Sequence, residues 1–243
     1  MKTQIENKKF NQWLAGLIDG DGYFYLSKKG YASLEITMET RDAQCLYKIK
    51  NQFGGSIKAV GKLKALRYRI HHKEGIINII NAVNGEIRNP TRIAQLFKIS
   101  EKYKINLNYA SNLTYDNAWL SGFIDSDGSV YYNLKSIQIF ITISQKNKLL
   151  LDIITPIYGG EIKTVKTTDS FKWTISKKSD VLTFLNYIKI NNLYSAKMVR
   201  IRLIPSVYDC FRKGLEKSDP ITIEGKIWKE ISEKWEGFYE NKD

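Results

Sequence analysis

One ten-residue segment occurs twice in the chain, and this internal repeat constrains the fold more than any other feature. WLAGLIDGDG at 13–22 returns as WLSGFIDSDG at 119–128. The similarity continues downstream with one residue deleted, because QFGGSIKAV at 52–60 matches IYGGEIKTV at 157–165. A nearly constant separation between matching segments indicates two copies of one structural unit.

The repeat divides the chain into four segments. We expect the first repeat at 1–104 and the second at 114–213, joined by a polar linker at 105–113. The segment 214–243 has no counterpart in the first repeat, so we treat it as a C-terminal extension.

Each repeat alternates between helical and strand-like hydrophobic patterns. A helical pattern through the WLxG segment precedes two alternating runs, a second helical pattern and two further alternating runs. The second helical pattern ends at Gly-Gly, which marks a helix C-terminus, and one or two helices close the unit. We therefore predict an α+β fold of two pseudo-symmetric αββαββα repeats, each with an antiparallel sheet.

The chain carries a large excess of positive charge. Its 38 Lys and Arg residues oppose 25 Asp and Glu residues, which gives a net charge of +13. Such a surplus attracts polyanions such as a nucleic-acid backbone, although a basic balance is also compatible with simple solubility. Cys45 and Cys210 lack CxxC spacing, which argues against a zinc site. The N-terminus shows no signal-peptide pattern and no segment is apolar enough to span a membrane, so we expect no membrane partner.

Small residues four positions apart lie within each copy of the repeated segment. Gly16 and Gly20 share one face of the first predicted helix. Gly122 and Ser126 share the matching face of the second. Because no long side chain separates the backbones there, we expect these two helices to pack closely against each other.

An aspartate lies just past the predicted end of each of these helices. Close packing would bring Asp21 and Asp127 together with two negative helix C-termini. Like charges at such range favour a cation between them, and hard divalent ions with oxygen ligands, Mg²⁺ first, suit carboxylates. The simpler alternative is that these acids only cap helices and begin turns, since Asp-Gly is a turn dipeptide. Asp19 and Asp125 fall inside the helical pattern, so we expect structural roles for them.

The repeated segment resembles the signature of the LAGLIDADG homing endonucleases. LAGLIDGDG at 14–22 differs from that signature at one position, and LSGFIDSDG at 120–128 is the second copy. Two copies in one chain are similar to the monomeric branch encoded in fungal mitochondrial group I introns. The resemblance implies a saddle-like sheet in each repeat, packing through the paired motif helices, and cutting of both strands at a long, imperfectly palindromic DNA site.

The resemblance also implies a metal site. Asp21 and Asp127 match the family's metal-binding acids. The backbone carbonyls of Gly20 and Ser126 are further candidate ligands. The expected cofactor is Mg²⁺ or Mn²⁺, and Ca²⁺ is expected to bind without supporting cleavage.

Three further catalytic residues are implied in the same way. Gln145 matches a family position that orients metal-bound water, whereas its counterpart Thr40 departs from that pattern. Lys197 matches the basic residue that stabilises transition-state charge, and Arg92 is the candidate in the first repeat. For Gln145 and Lys197 the alternative is a solvated surface side chain.

Strand alternation separates each predicted sheet into an apolar face and a polar face. The polar face mixes hydrogen-bonding and basic groups, as contacts to base edges and phosphates in a major groove require. A merely solvated face is the alternative, because antiparallel sheets often expose one side to water. The residues assigned to DNA binding are Tyr23, Tyr25, Ser27, Lys29, Lys58, Arg67, Arg69, Ser129, Tyr131, Asn133, Lys135, Gln138, Lys163 and Lys172.

Three functions remain compatible with these features. The first is a site-specific endonuclease that acts as a monomer on double-stranded DNA. The second is a maturase that binds group I intron RNA and assists splicing. The third is a non-catalytic DNA-binding module. The presence of an acid in both repeats argues against this third function. The resemblance and the abundance of residues with AT-rich codons suggest a mitochondrial or other organelle matrix.

Overall fold

Two four-stranded antiparallel sheets organise the computed structural model, which describes residues 2–237. The first repeat contains α1 (Lys2–Asp21), β1 (Gly22–Leu26), β2 (Ala32–Glu39), α2 (Ala43–Phe53), β3 (Ser56–Ala59), β4 (Ala65–Ile70), α3 (Lys73–Val83) and α4 (Pro90–Tyr103). The second contains α5 (Trp119–Asp127), β5 (Gly128–Asn133), β6 (Gln138–Gln145), α6 (Leu149–Tyr158), β7 (Glu161–Val165), β8 (Ser170–Ile175), α7 (Lys178–Ile190) and α8 (Lys197–Lys213). The extension adds α9 (Ile223–Glu236).

The two sheets have the same topology. Their strand orders are β1-β2-β4-β3 and β5-β6-β8-β7, and all neighbouring strands are antiparallel. The predicted α+β fold with two pseudo-symmetric repeats is therefore confirmed, and each repeat closes with two helices. Gly54 and Gly159 end α2 and α6 with φ angles of 78° and 74°, a backbone region that favours glycine.

The first strand of each sheet is shorter than the alternating sequence pattern predicts. The prediction that Ser27, Lys29 and Lys135 lie on strands is wrong, because β1 ends at Leu26 and β5 ends at Asn133. The Ser27 hydroxyl accepts the Tyr31 N–H at 2.9 Å. Similarly, the Asn133 side chain accepts the Lys135 N–H at 2.9 Å. These side-chain bonds to nearby backbone fold the chain into turns at the outer ends of the sheets.

The helices α1 and α5 cross at their glycines, as the spacing predicted. A Cβ atom at Gly16 would overlap the carbonyl oxygen of Trp119, and one at Gly122 would overlap that of Trp13. The backbones of the two repeats are therefore in direct contact. At this crossing any side chain larger than hydrogen would force the helices apart.

Two buried hydrogen bonds between indoles and carboxylates run across the same crossing. The Trp13 indole N–H donates to Asp125 Oδ2 at 2.8 Å. The Trp119 indole N–H donates to Asp19 Oδ2 at 2.7 Å. Each repeat thus supplies a tryptophan that donates to the other repeat's aspartate. These two bonds fix the register of the helix pair as well as the distance between the helices.

The same two aspartates also hold the closing helices of their own repeats. Asp19 accepts the backbone N–H groups of Arg88 and Asn89 at 2.8 and 3.0 Å. Asp125 accepts the N–H of Tyr194 at 2.8 Å. Burial raises the pKa of Asp19 to about 6, while these N–H donors favour its carboxylate form. The contacts confirm the structural role expected for both acids.

The C-terminal extension packs on the second repeat. Trp235 of α9 is buried, and the Arg200 guanidinium donates to its carbonyl oxygen at 3.1 Å. The same guanidinium donates to the Val130 carbonyl at 2.8 Å, so it joins α9 to β5. Residues 238–243 of the predicted extension lie outside the described part of the chain. Across residues 2–237, no helix combines the length and apolarity that crossing a membrane needs.

The glycine crossing makes a prediction about stability. Gly16→Ala should lower the free energy of unfolding by about 3 kcal/mol, because the added methyl group meets backbone that cannot move aside. Inside an ordinary helix, replacing glycine by alanine is stabilising. A loss of stability in Gly16→Ala would therefore itself indicate the close helix crossing. Asn7→Ala, at an exposed position of the same helix, should change stability by less than about 0.5 kcal/mol. Urea unfolding followed by circular dichroism measures both, and an unchanged midpoint for Gly16→Ala would contradict the crossing.

Candidate metal centre and nucleic-acid interface

Asp21 and Asp127 are the last residues of α1 and α5, rather than the first residues after them. The Asp127 carboxylate crosses toward the other helix, and its Oδ2 lies 2.8 Å from the place where a Cβ atom of Gly20 would be. Burial raises the pKa of Asp21 to about 7, and the neighbouring charge of Asp127 contributes to this rise. Burial also raises the pKa of Asp127. The two acids therefore form one centre in which a full double negative charge is unfavourable.

Lys197 and Arg92 neutralise the C-terminal ends of the two motif helices. The Lys197 ammonium donates to the carbonyls of Ile124, Asp125 and Ser126 at 3.0, 2.6 and 3.0 Å. Arg92 approaches the other helix in the same way. A positive charge at a helix C-terminus interacts favourably with the helix dipole, so both cations have an electrostatic reason for their positions.

The carbonyls expected to bind metal already accept hydrogen bonds from these cations. Arg92 Nη2 donates to the Gly20 oxygen at 3.0 Å, and its Nε donates to the Ile18 oxygen at 3.3 Å. The Ser126 oxygen accepts from Lys197. A carbonyl oxygen has two lone pairs, so each of these oxygens can accept from the cation and still offer a second lone pair to a metal.

The two halves of the centre differ at the position predicted to orient water. Gln145, at the end of β6, donates from Nε2 to Asp127 Oδ2 at 2.6 Å. Thr40 begins a 3-10 turn in the first repeat and has no amide group to offer Asp21. The site is therefore asymmetric in its hydrogen bonding although its helices are symmetric.

Asp42 is a buried acid beside the centre that the sequence reasoning missed. It is only 5% exposed, and its Oδ1 accepts the Ala196 N–H at 2.8 Å, immediately before Lys197 begins α8. It lines, with Asp21 and Lys197, a cavity of about 410 Å³. The matching residue Asn147 instead accepts the Leu149 N–H of its own turn. This difference between matched positions was the only signal in the sequence.

The chemistry of these donors suits a hard cation. Within residues 2–237, no cluster of three or more His, Cys, Asp and Glu side chains has a metal-binding arrangement. The donors that converge are a pair of carboxylates with backbone carbonyl oxygens nearby. Oxygen donors with several positions left for water are what Mg²⁺ prefers.

The polar face of the first sheet is basic but internally paired. Arg69 lies opposite Glu35 on β2 and forms an ion pair with it at 3.2 Å, and Arg67 approaches the same carboxylate at 3.5 Å. Tyr23 and Tyr25 are about half exposed, and their rings stack at 6.1 Å. The face thus offers guanidinium donors and flat aromatic surface to a ligand.

The second sheet presents a different set of groups on the equivalent face. Lys163 and Lys172 lie opposite each other on β7 and β8. The Lys172 ammonium lies 5.4 Å from the Tyr131 ring centroid, and that ring stacks on Phe140 at 5.1 Å. Ser129 lies opposite Thr142, whereas the matching positions of the first sheet are Tyr23 and Glu35. Two sheets of the same strand order therefore carry different side chains on their polar faces.

The remaining residues assigned to DNA binding lie at the edges of these faces. Lys58 pairs with Arg67 across β3 and β4, and Asn133 pairs with Gln138 at the outer end of β5 and β6. The turn residues Ser27, Lys29 and Lys135 flank the same outer ends. The structure thus brings the assigned residues onto two neighbouring surfaces, with the acidic centre between the repeats.

Comparisons with known proteins agree with this geometry. A family model described as LAGLIDADG endonuclease matches residues 14–103 and again 120–208. The intron-encoded RNA maturase bI4 of Saccharomyces cerevisiae is 43% identical over 94% of this chain, which spans 37% of that protein. The intron-encoded DNA endonuclease ai2a of Dictyostelium discoideum is 36% identical over 96% of this chain and 77% of its own length.

Solved structures share the fold. The I-LtrWI LAGLIDADG homing endonuclease bound to target DNA superposes with a TM-score of 0.65 and covers 95% of this chain and 98% of its own. Its sequence identity is 19%, so this likeness concerns the fold alone. The paired motif, the duplicated sheet topology and the family match lead to one conclusion: this chain belongs to the LAGLIDADG endonuclease family.

Proposed function

We propose that this protein is a site-specific endonuclease that hydrolyses one phosphodiester bond in each strand of a long, pseudo-palindromic DNA duplex. The observation that carries the proposal is the convergence of Asp21 and Asp127, one from each repeat, on one acidic centre. This centre lies between two polar sheet faces in a protein of net charge +13. One chain supplies both halves, so we expect a monomer to cut both strands.

The residues that would hold divalent metal are Asp21 and Asp127, with the carbonyl oxygens of Gly20 and Ser126 in support. When bound, Mg²⁺ or Mn²⁺ supplies activation of water and neutralisation of charge on the attacking and leaving oxygens. Ca²⁺ should occupy the site and support DNA binding without cleavage.

The protein's own groups position the reactants around that centre. Gln145 holds Asp127 in place and presents its amide to the attacking water. Lys197 and Arg92 keep positive charge beside the scissile phosphates, which stabilises negative charge as it develops. Because Thr40 cannot reproduce the contact made by Gln145, we expect the two strands to be cut at unequal rates.

The two sheet faces would bind the two half-sites of the DNA. Basic side chains contact phosphates, and the tyrosines, serines and amides contact base edges or thymine methyl groups. Because the first face carries arginine–glutamate pairs and the second carries lysines and threonines, the two half-sites should differ in sequence. The named relatives are intron-encoded, and we propose a mitochondrial or other organelle location for this chain as well.

A second candidate function is RNA maturase activity. It is favoured by one observation, the 43% identity to a protein named an intron-encoded RNA maturase. The discriminating experiment incubates the protein with Mg²⁺ and a plasmid library of sequences around the insertion site of its gene. Linear product supports the endonuclease. An absence of cutting together with tight binding and splicing of the host intron RNA supports the maturase instead.

Loss of either acid of the centre should impair cleavage. Asp21→Asn or Asp127→Asn should slow double-strand cleavage by roughly 1,000-fold, because each removes a ligand from a metal that contributes several kcal/mol to the reaction. Conversion of supercoiled plasmid to linear DNA measures this loss. Affinity for the target in Ca²⁺ should stay within about threefold, since the reading faces are intact. Unchanged cutting by either variant would contradict the proposed metal centre.

Loss of the Asp21 charge should also change the stability of the protein. In EDTA, Asp21→Asn should raise the Tm by about 3 °C, because it relieves repulsion between two half-buried carboxylates. Mg²⁺ should raise the Tm of the unmodified protein and have little effect on the variant. Asp152→Asn, on an exposed carboxylate that pairs with Lys148, serves as the control and should keep the Mg²⁺ response. Equal Mg²⁺ stabilisation of all three proteins would contradict metal binding at Asp21.

The asymmetry of the centre should make the two strands respond differently to the loss of Gln145. Gln145→Ala should slow the cutting of one strand by about 10- to 100-fold, as loss of a group that orients a metal ligand commonly does. Thr40→Ala is the matched change in the first repeat and should have a small effect. Strand-specific end labels on the target report each cut separately, and nicked DNA should accumulate with Gln145→Ala only. Equal slowing of both strands would show that Gln145 acts on the centre as a whole.

A further inference from the structure

Asp42 lies immediately before α2, where an acid ordinarily accepts a hydrogen bond from the first N–H groups of its own helix. In the part of the chain that the structure describes, the Asp42 side chain makes no such capping bond to α2. The matching residue Asn147 does bond locally, because it accepts the Leu149 N–H. Asp42 Oδ1 instead accepts the Ala196 N–H at 2.8 Å. This buried carboxylate therefore bonds to the other repeat rather than to its own helix.

The matching N–H group in the first repeat has a local partner. The Thr91 N–H, 105 residues before Ala196, donates to Asn89 Oδ1 at 3.0 Å within the same repeat. Tyr194 occupies the position of Asn89 in the second repeat, and tyrosine is not a residue that caps a helix in this way. Asp42 thus takes over, from the first repeat, the part that Asn89 plays for α4.

The residue that follows Ala196 is the buried cation of the centre. Lys197 begins α8 and is only 9% exposed. Its ammonium donates to three carbonyls at the end of α5, among them the Ser126 oxygen at 3.0 Å. Lysine is a point charge on a flexible four-carbon stem. The position of the ammonium therefore depends on how firmly the backbone at the start of α8 is held.

A second carboxylate holds the segment just before Ala196. Asp125 accepts the N–H groups of Tyr194 and Ser195 at 2.8 and 3.1 Å. These bonds fix the approach to α8 from within the second repeat, whereas Asp42 holds the Ala196 N–H. Loss of Asp42 should therefore loosen the first turn of α8 while the preceding segment stays bound to α5.

We propose that Asp42 is a positioning residue, which holds the start of α8 so that the Lys197 ammonium stays beside the scissile phosphate. The inference rests on the proposed function, because it assigns Lys197 a part in DNA cleavage. A carboxylate at a helix N-terminus also interacts favourably with the helix dipole. Small displacements matter at such a position, since a misplacement of about 1 Å can slow a reaction about 100-fold.

The test measures single-turnover cleavage in Mg²⁺ with a separate end label on each strand. Lys197→Met identifies the strand whose cut depends on the ammonium. Asp42→Ala should slow that cut by about 10- to 100-fold, as loss of a supporting contact commonly does. Affinity for the target in Ca²⁺ should stay within about threefold, because the sheet faces are intact.

A double variant shows whether Asp42 acts through Lys197. When Lys197 is already methionine, Asp42→Ala should slow the cut by less than about twofold more, because the ammonium it positions is gone. A purely structural defect would slow cutting by the same factor in both backgrounds. Effects that multiply in this way, or an Asp42→Ala protein that cuts like the unmodified one, overturn the proposal.

Asp42→Asn separates the hydrogen bond from the charge. Burial and Asp127 raise the pKa of Asp21, and the charge of Asp42 contributes in the same direction. The asparagine variant loses that charge but keeps an oxygen that can accept the Ala196 N–H, so it should cut within about threefold of the unmodified rate. A loss as large as that of Asp42→Ala would show that the charge matters rather than the position, which overturns the proposal.

Asn89→Ala is the matched control in the first repeat, because it removes the local cap at Thr91. Its effect on cutting should multiply with that of Lys197→Met, since Asn89 has no contact with α8 to lose. If Lys197→Met masks the effect of Asn89→Ala as well, the masking is not specific to Asp42 and the proposal is wrong.

An NMR measurement on the protein without DNA gives a readout that does not depend on cleavage. In ¹⁵N-lysine-labelled protein in EDTA, the Lys197 ammonium signal is assigned by its loss in Lys197→Met. Asp42→Ala should shift or broaden this signal, whereas Asp42→Asn and Asn89→Ala should leave it in place. An unchanged signal in Asp42→Ala overturns the proposal. If the unmodified protein cuts no target, the proposed function fails, and the signal still reports whether Asp42 positions Lys197.

Circular dichroism melting establishes that each variant is folded. If Asp42→Ala does not fold, Asp42→Ser takes its place, since its hydroxyl lies closer to the backbone than the carboxylate oxygen that accepts the Ala196 N–H. The serine variant should also slow the cut that depends on Lys197 and shift the ammonium signal. Wild-type cutting and an unshifted signal in Asp42→Ser overturn the proposal.

Discussion

The contact between Gly16 and the backbone of α5, with its mirror at Gly122, is the constraint on which the rest of the structure depends. It joins the two repeats through main chain rather than through side chains. The distance and the angle between the two helices can therefore vary little. The crossed indole–carboxylate bonds of Trp13 and Trp119 then fix the register. Hydrophobic burial alone would hold the repeats together, but it would not set their alignment to within a fraction of an ångström.

The acidic centre is a direct consequence of that alignment. Two helices that cross near their C-termini place two negative dipole ends and two carboxylates in one small volume. Lys197 and Arg92 offset the dipoles by donating to terminal carbonyls, whereas the carboxylates of Asp21 and Asp127 keep raised pKa values. The protein therefore tolerates an unfavourable arrangement at the point where a cation would relieve it, a common pattern in functional sites.

The sequence was sufficient for the features that repeat and insufficient for those that occur once. Spacing within the motif predicted the glycine crossing and the pairing of Asp21 with Asp127, because a helix places residues at fixed angles. Asp42 was missed because its partner Ala196 lies in the other repeat and local patterns carry no information about it. Lys135 was placed on a strand because alternation continues past Asn133, whose side chain folds the chain into a turn.

The bond from Ala196 to Asp42 makes the halves of this protein interdependent. Asp42 belongs to the first repeat, yet it anchors the start of the helix that carries Lys197 in the second. A chimera whose first half lacks an acid at this position would keep the glycine crossing and still lose this anchor. Exchange of halves therefore has to keep an acid at position 42 together with the helix that it anchors, although 154 residues separate Asp42 from Ala196.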